Sequence, residues 1–416
     1  MKVELISVGT EILLGDILNT NVQFLSKELA SLGINVYKHT SVGDNKERFL
    51  NVIDTAFKEA DTLIITGGLG PTDDDITKET VSEYFGLEEE VNEYYWKKIQ
   101  DYLLNYSSNK TVTKNDQKTA RVPIGAKTFE NFWGTAPGIL VEQDNKKVIL
   151  LPGPPREMTN MFKTHIKPYL ESLSSQVFLS KYIRFFGIGE SLLEDKIKNL
   201  MDRQTNPTLA LYAKSGEVLL RVTASASTKE ECQELLNASI KEVKAIVGDY
   251  IYLIGDESVA ESQSEMNKVL ANVLIDNNIS ISIAESITGG LVASSLIESD
   301  GISKVLKESY VTYSDEAKHK LLDVQTETLE KHTAVSKQVA EEMLKGLVEK
   351  TNIQAAIITT GYANHEEKNL AGLVYIGAYY KGKSVIKEVR FSGDRNRVRF
   401  RTSQEAMNEL RKLILE

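Results

Sequence analysis

Apolar positions at the start of the chain follow two rhythms. Val3 to Val8 is a short β-rich run. Val22, Leu25, Leu29 and Leu32 then recur at spacings of 3, 4 and 3, one face of a helix, with Gly33 as its stop. Ile34 to Val42 reads as a strand. Phe49, Val52, Ile53, Ala56 and Phe57 mark a second helix, and Thr62 to Thr66 a short buried strand. A β-α-β-α-β run of this kind predicts a parallel sheet with helices on its faces. Val148 to Leu151 is a further apolar strand, cut off by Pro152-Gly153-Pro154-Pro155.

Seven of the eight prolines lie at or before Pro168. The polar stretch Glu171-Ser172-Leu173-Ser174-Ser175 therefore sets a first boundary, and Gly255 to Ser264 a second. The expected domains are 1–172, 173–255 and 256–416. The middle one reads as a compact α+β module: strand Tyr182 to Phe186, helix Ser191 to Met201, a hairpin of Leu209 to Lys214 with Glu217 to Ala224, and helix Glu230 to Val247. The last returns to α/β alternation. It has a helix from 266, strand Ile279 to Ala284, a helix from Gly289, strand Ser309 to Tyr313, and a helix from Asp315. A helix near 336–349, strand Ala355 to Thr359, a hairpin and a terminal helix follow.

Composition narrows the class. Of 416 residues, 41% are hydrophobic and 26% charged, which suits a folded chain with a real core. The net charge of −10 argues against general nucleic-acid binding. A single cysteine, Cys232, excludes an internal disulfide framework, and the five histidines form no metal-ligand spacing. No apolar run has the length of a membrane span, and the first residues show no charged-then-apolar leader pattern, so the expectation is a cytoplasmic protein.

Candidate chemistry gathers in loops. Ligands of open parallel sheets sit beyond the carboxyl ends of the strands. There the first domain places Gly9-Thr10-Glu11, Gly43-Asp44-Asn45, Gly67-Gly68-Leu69-Gly70-Pro71-Thr72-Asp73-Asp74-Asp75, and Pro152-Gly153-Pro154-Pro155-Arg156-Glu157. Glycines let backbone N–H groups approach a phosphate. Asp44, Asp73, Asp74 and Asp75 offer hard oxygen ligands for a divalent ion such as Mg²⁺ or Mn²⁺. Against this stands a plainer use: one of the three consecutive aspartates caps the helix starting near Ile76. Asn19 and Asn21 reach the same mouth or simply start a helix.

In the last domain, Glu285-Ser286-Ile287-Thr288-Gly289-Gly290 follows a strand and opens a helix. Such a turn lifts a serine to the sheet edge, and its glycines expose N–H groups to a phosphate or oxyanion. Tyr313 ends the next strand, Ser314 caps a helix, and Lys318 falls in its first turn. There the helix dipole lowers an ammonium's pKa, the direction a general base requires. Ser286, Tyr313 and Lys318 make a plausible amide-cleaving set without metal or histidine. The alternative is an ordinary solvated helix start.

Gly9 to Gly15, Asn19-Thr20-Asn21, Val42-Gly43-Asp44, Thr66 to Asp75, Gly134 to Gly138 and Leu151 to Met158 together resemble the molybdopterin-binding-like domain of the CinA family, and the likeness continues through the whole chain. The resemblance implies a three-layer α/β/α first domain, a KH-like middle domain and an α/β/α last domain. It further implies a homodimer with two activities. In the first domain, ADP-ribose is hydrolysed with Mg²⁺, Mn²⁺ or Co²⁺, Gly9, Thr10, Glu11, Gly67, Gly68, Gly70, Thr72 and Gly153 lining the site. In the last, nicotinamide mononucleotide is deamidated without cofactor by Ser286, Tyr313 and Lys318, beside Thr288, Gly289 and Gly290. Arg395 of Gly393-Asp394-Arg395 then serves the substrate phosphate.

Two departures stand out. Ile287 replaces the family's usual cysteine. Thr360 to Gly372 lacks the family's glycine-rich loop and carries Glu366 and Glu367, where carboxylates would repel a phosphorylated substrate. The rival class is a non-catalytic binding protein with a pterin ligand. In the middle domain, Gly187-Ile188-Gly189 reads as a helix entry capped by Glu190 and Ser191, with no GxxG clamp for RNA. Cys232 reads as an inert surface or half-buried thiol.

Overall fold

The computed structural model describes residues 1–106, 111–173, 176–367 and 369–416. Ser174 and Ser175 of the first boundary, and Lys368 of the 360–372 loop, lie outside the described residues. The chain packs into two compact units, one of Met1–Ser180, Thr205–Thr208 and Thr223–Ser239, the other of Lys181–Gln204, Leu209–Val222 and Ile240–Glu416.

The N-terminal part runs β1 (Val3–Val8), α1 (Thr10–Leu14), α2 (Thr20–Ser31), β2 (Val36–Val42), α3 (Lys46–Ala56), β3 (Thr62–Thr66), α4 (Thr77–Phe85), β4 (Glu89–Val91), α5 (Glu93–Tyr106), α6 (Asp116–Thr119), β5 (Arg121–Pro123), β6 (Lys127–Phe129), β7 (Gly138–Gln143), β8 (Lys146–Leu151), α7 (Pro155–Met161) and α8 (Lys167–Ser172). Six strands form one sheet in the order β2-β1-β3-β8-β7-β6. The first four are parallel, and β7 and β6 add on antiparallel. Because successive side chains point to opposite faces, Leu5, Ile64 and Ile149 enter one core with α2 and α7. Ile6, Ile65 and Leu150 enter the other with α3 and α4. A doubly covered parallel sheet results.

Beneath the aspartate loop, Lys78 of α4 is only 1% exposed and donates to the Lys118 carbonyl at 2.6 Å. Burial pushes its pKa down to about 8, against 10.5 for a free lysine. Between these values the unfolded chain holds a proton that the folded chain has released, so stability rises with pH across the window and the contribution is lost below pH 8. At 1.36 kcal/mol per unit, the rise is about 3 kcal/mol. Chemical denaturation from pH 7 to 11 should show this slope in the native chain and lose it in Lys78→Met.

The middle elements are β9 (Val177–Phe186), α9 (Glu190–Asp202), β10 (Thr208–Lys214), β11 (Glu217–Ala226), α10 (Lys229–Val247) and β12 (Ile251–Gly255), with sheet order β10-β11-β9-β12. Cys232 is fully buried rather than at the surface, its thiol donating to the Val177 carbonyl at 3.2 Å. The linker is not free either. It forms α11 (Ser258–Glu261), and the carbonyls of Val259 and Ser262 accept from the buried Arg184 guanidinium.

The last part runs α12 (Met266–Asp276), β13 (Ile281–Glu285), α13 (Leu291–Ile297), β14 (Leu306–Val311), α14 (Asp315–Leu322), α15 (Thr326–His332), α16 (Lys337–Thr351), β15 (Ala355–Gly361), β16 (Leu373–Tyr380), β17 (Lys383–Arg390) and α17 (Arg395–Leu415). Its five strands take the order β14-β13-β15-β16-β17, the first three parallel. Ile281, Ile283 and Ile357 pack with α12, α13 and α17 on one face. Ala284, Ala356 and Ile358 pack with α16 on the other. No helix among the described residues is long and apolar enough to cross a membrane.

Candidate functional sites

In the first domain β2, β1, β3 and β8 are parallel neighbours, with Ser7 level with Thr66 and Thr66 with Leu151. Their carboxyl ends therefore share one rim, and all four glycine- and acid-bearing loops meet there. The rim encloses a cavity of about 540 Å³, lined by Gly9, Glu11, Asp44, Gly67, Gly68, Gly70, Asp74, Asp75 and Gly153. Asn19, Asn21 and Glu157 also line it. Gly67 is obligatory at this crossing: its φ is +97°, and a Cβ would stand 2.2 Å from the Val8 carbonyl oxygen.

Thr10, Thr72 and Asp73 do not line the cavity. The two threonines act one step behind it. Thr10 donates its N–H and hydroxyl to Asp44 Oδ2 at 3.1 and 2.7 Å, and Thr72 does the same to Asp75 Oδ2 at 2.9 and 2.6 Å. The expectation of a helix cap among the aspartates fails, because α4 begins after Ile76 with no side-chain cap. Asp75 is instead spent on closing its own turn.

Two groups named in the sequence as members of this mouth acquire their particular state only in the fold. Burial raises the Glu157 carboxyl pKa, and this side chain accepts from Asn131 Nδ2 at 2.7 Å. Asn21 donates to the Gly153 carbonyl at 2.7 Å, while its buried Oδ1 has no partner among the described residues. No three His, Cys, Asp or Glu side chains among the described residues are grouped to cage a metal unaided. One or two carboxylates suffice for an ion such as Mg²⁺ that brings substrate phosphates and water as its other ligands. The residues present fit such an ion, not an all-protein cage.

In the last domain Ser286 directly follows β13, its N–H held by the Thr359 carbonyl at 2.9 Å. Lys318 Nζ stands 3.4 Å from Ser286 Oγ and 3.8 Å from Asp315 Oδ1. Ser314 caps α14 as expected, accepting from Ala317 N–H at 3.1 Å. The lysine is 1% exposed, and burial lowers its pKa while Asp315 opposes the shift. The direction is that expected from sequence, but desolvation is its main cause. A cavity of about 220 Å³ brings together Ser286, Tyr313, Asp315, Lys318, Thr360, Tyr362 and Arg395.

Thr288, Gly289 and Gly290 do not line this cavity. Thr288 Oγ1 bonds Thr359 Oγ1 at 2.8 Å in the core, and Gly289 N–H donates back to the Ser286 carbonyl at 3.2 Å. The start of α13 is closed by Glu285, whose fully buried carboxylate accepts from Val292 and Ala293 N–H at 3.0 and 2.9 Å. Those donors are spent inside the fold, and Arg395 is the cationic side chain besides Lys318 that lines the cavity. Arg399, one turn further along α17, grips the Thr288 carbonyl at 2.8 Å and braces the turn. Neither role was legible beforehand: Glu285 reaches past the turn to N–H groups seven and eight residues on, and Arg399 acts on a carbonyl 111 positions away. Glu366 and Glu367 are exposed and do not line the cavity. The expected repulsion therefore has no place in its wall.

Two doubly covered α/β domains, each with a polar cavity at the carboxyl ends of its strands, define a multidomain α/β protein of the molybdopterin-binding-like type. Three family models match the chain in order: the probable molybdopterin binding domain over residues 4–172, the damage-inducible protein CinA KH domain over 180–252, and the CinA C-terminal domain over 263–414. The chain belongs to the CinA family. It is 45% identical to a CinA-like protein of Dictyoglomus turgidum over 100% of both chains, and 46% identical to a putative competence-damage inducible protein of Clostridioides difficile over 99% of both. A solved CinA protein from Thermoplasma acidophilum is 32% identical, covers 40% of this chain and 96% of its own, and has a TM-score of 0.37.

Proposed function

We propose that the last domain is a serine–lysine amidase that deamidates nicotinamide mononucleotide. The observation that carries this reading is the buried Lys318 ammonium group 3.4 Å from Ser286 Oγ, within one small cavity. Lys318 in its neutral form takes the Ser286 proton as Oγ attacks the carboxamide carbon. The tetrahedral adduct collapses to an acyl ester, and the proton returns to the departing ammonia. Water then cleaves the ester, regenerating Ser286 and leaving a carboxylate. Arg395 stands at the same cavity to receive the phosphate of the substrate. Incubation with nicotinamide mononucleotide should release ammonia. Release no greater than that of Lys318→Ala would refute the reading.

A second reading, favoured by the convergence of four loops on one cavity, assigns ADP-ribose hydrolysis to the first domain. Asp74, with the carboxylate oxygen of Asp75 that Thr72 leaves free, would hold a divalent ion that supplies Lewis-acid polarisation of the diphosphate. These carboxylates would act on the anion only through that ion, while Gly67, Gly68 and Gly153 keep the approach clear of Cβ atoms. AMP release from ADP-ribose with Mg²⁺, Mn²⁺ or Co²⁺ should fall about 100-fold or more in Asp74→Asn/Asp75→Asn. Unchanged turnover in that variant would discredit the site. Thermal stabilisation by pterins alone would favour the carrier class instead.

A further inference from the structure

A third cavity, of about 430 Å³, lies apart from the Ser286 cavity, and neither proposed activity uses it. Its walls are the Gly187-Ile188-Gly189 entry to α9, the turn between β10 and β11, and one face of α17. The start of α17 carries Arg395, Arg397, Arg399 and Arg401. At roughly 100° per residue, these divide into two pairs on different faces. Arg395 lines the Ser286 cavity and Arg399 holds its turn, whereas Arg397 and Arg401 line the third cavity.

The positive end of a helix disfavours cations, so arginines there need compensation. The Arg397 guanidinium has no hydrogen-bond or ion-pair partner among the described residues, and Arg401 has only the Phe391 ring, 4.6 Å away. The carboxylates at hand are already matched: Glu217 by Arg184 at 2.7 Å and Glu405 by Lys387 at 2.6 Å. That leaves the exposed Glu190 as the remaining carboxylate of a lining that also carries Arg397, Arg401 and Lys214, within a chain that is acidic overall. Glu190 and Ser191 do not cap α9 as expected, because the cap is Gly189 and no side chain bonds there.

An independent polar group points the same way. Gln404 lines the cavity and is 5% exposed. One edge of its amide meets Ser264 Oγ at 2.6 Å, and the other has no partner among the described residues. Ser264 in turn bonds Glu217, so a buried network running back to Arg184 holds Gln404 in place. Ile188 and Phe391 supply an apolar flank.

We propose that this cavity is a second binding site for a phosphorylated small molecule of mononucleotide size, its phosphate gripped by Arg397 and Arg401 and a polar group met by Gln404. Paired guanidinium groups suit phosphate oxygens, and the volume falls in the range of small-ligand sites. Calorimetric titration of the full chain with inorganic pyrophosphate and with AMP tests it. The native chain should bind one more equivalent of at least one probe than Arg397→Gln/Arg401→Gln does. That variant should keep its ammonia release and its melting temperature. Gln404→Leu, which leaves the arginines in place, should weaken the same site about tenfold. Identical isotherms in the native chain and both variants would overturn the proposal. So would loss of the same equivalent in Arg395→Gln, which would place the anion in the Ser286 cavity.

Discussion

Replacing Lys318 with Ala or Ser286 with Ala is expected to lower ammonia release from nicotinamide mononucleotide by about 1,000-fold or more. Each change removes one half of a two-atom device: Ser286 Oγ is the only proposed nucleophile, and Lys318 Nζ, 3.4 Å away, its only base. Lys318→Arg should be as inactive as the alanine variant, because a guanidinium does not release its proton in a protein. The pH profile discriminates further. Burial holds the Lys318 pKa below the ordinary 10.5, so kcat/KM should rise with pH and level off below that value. Asp315→Asn removes the charge that opposes this shift and should move the rise to lower pH. A flat profile, or full activity in Lys318→Arg, would exclude lysine as the base.

The largest stability effect is expected at Arg184. This side chain is fully buried, pairs with Glu217 at 2.7 Å, and donates to the carbonyls of Val259 and Ser262 at 2.6 and 2.7 Å. The Tyr252 hydroxyl also donates to Glu217, at 2.5 Å. Arg184→Ala strands a carboxylate in the core and frees the linker carbonyls. The cost of breaking such a pair is about 3–5 kcal/mol, and the melting temperature should drop by roughly 10 °C. Arg184→Met with Glu217→Leu should recover much of the loss, because no charge is then left unmatched. Loss of more stability in the double than in Arg184→Ala would show that the hydrogen bonds, not the charge balance, dominate. Calorimetric or dichroic melts read both outcomes.

Strand and helix placement was legible where the apolar pattern is set by two-sided burial. Val3–Val8 and Thr62–Thr66 fall where the periodicity predicts, since every residue of both strands is buried. The pattern failed on an edge. The strand expected at Ser309 to Tyr313 is Leu306–Val311, an edge strand whose Lys307, Glu308 and Ser309 face solvent and blur the alternation. Tyr313 consequently leaves the strand and stands 69% exposed at the cavity mouth. Likewise Tyr182 to Phe186 proves to be the buried half of a longer strand beginning at Val177. The antiparallel β6 and β7 went unforeseen.

By itself the sequence determined the α/β class, the order of the modules, and the loops that carry glycine, carboxylate, serine and lysine, because these follow from local periodicity and from residue type. Tertiary structure alone decided which of those groups are available for chemistry. It spends the Ser286, Gly289, Val292 and Ala293 N–H groups on Thr359, Ser286 and Glu285, ties one carboxylate oxygen each of Asp44 and Asp75 to a threonine, and sets Asp73 outside the cavity. It also turns two of four neighbouring arginines away from Ser286. The physical reason is that availability is a matter of remaining partners and burial. Both are settled by contacts between residues far apart in the chain, as between Thr288 and Arg399, 111 positions apart, or Ser264 and Gln404, 140 positions apart, which no local pattern encodes.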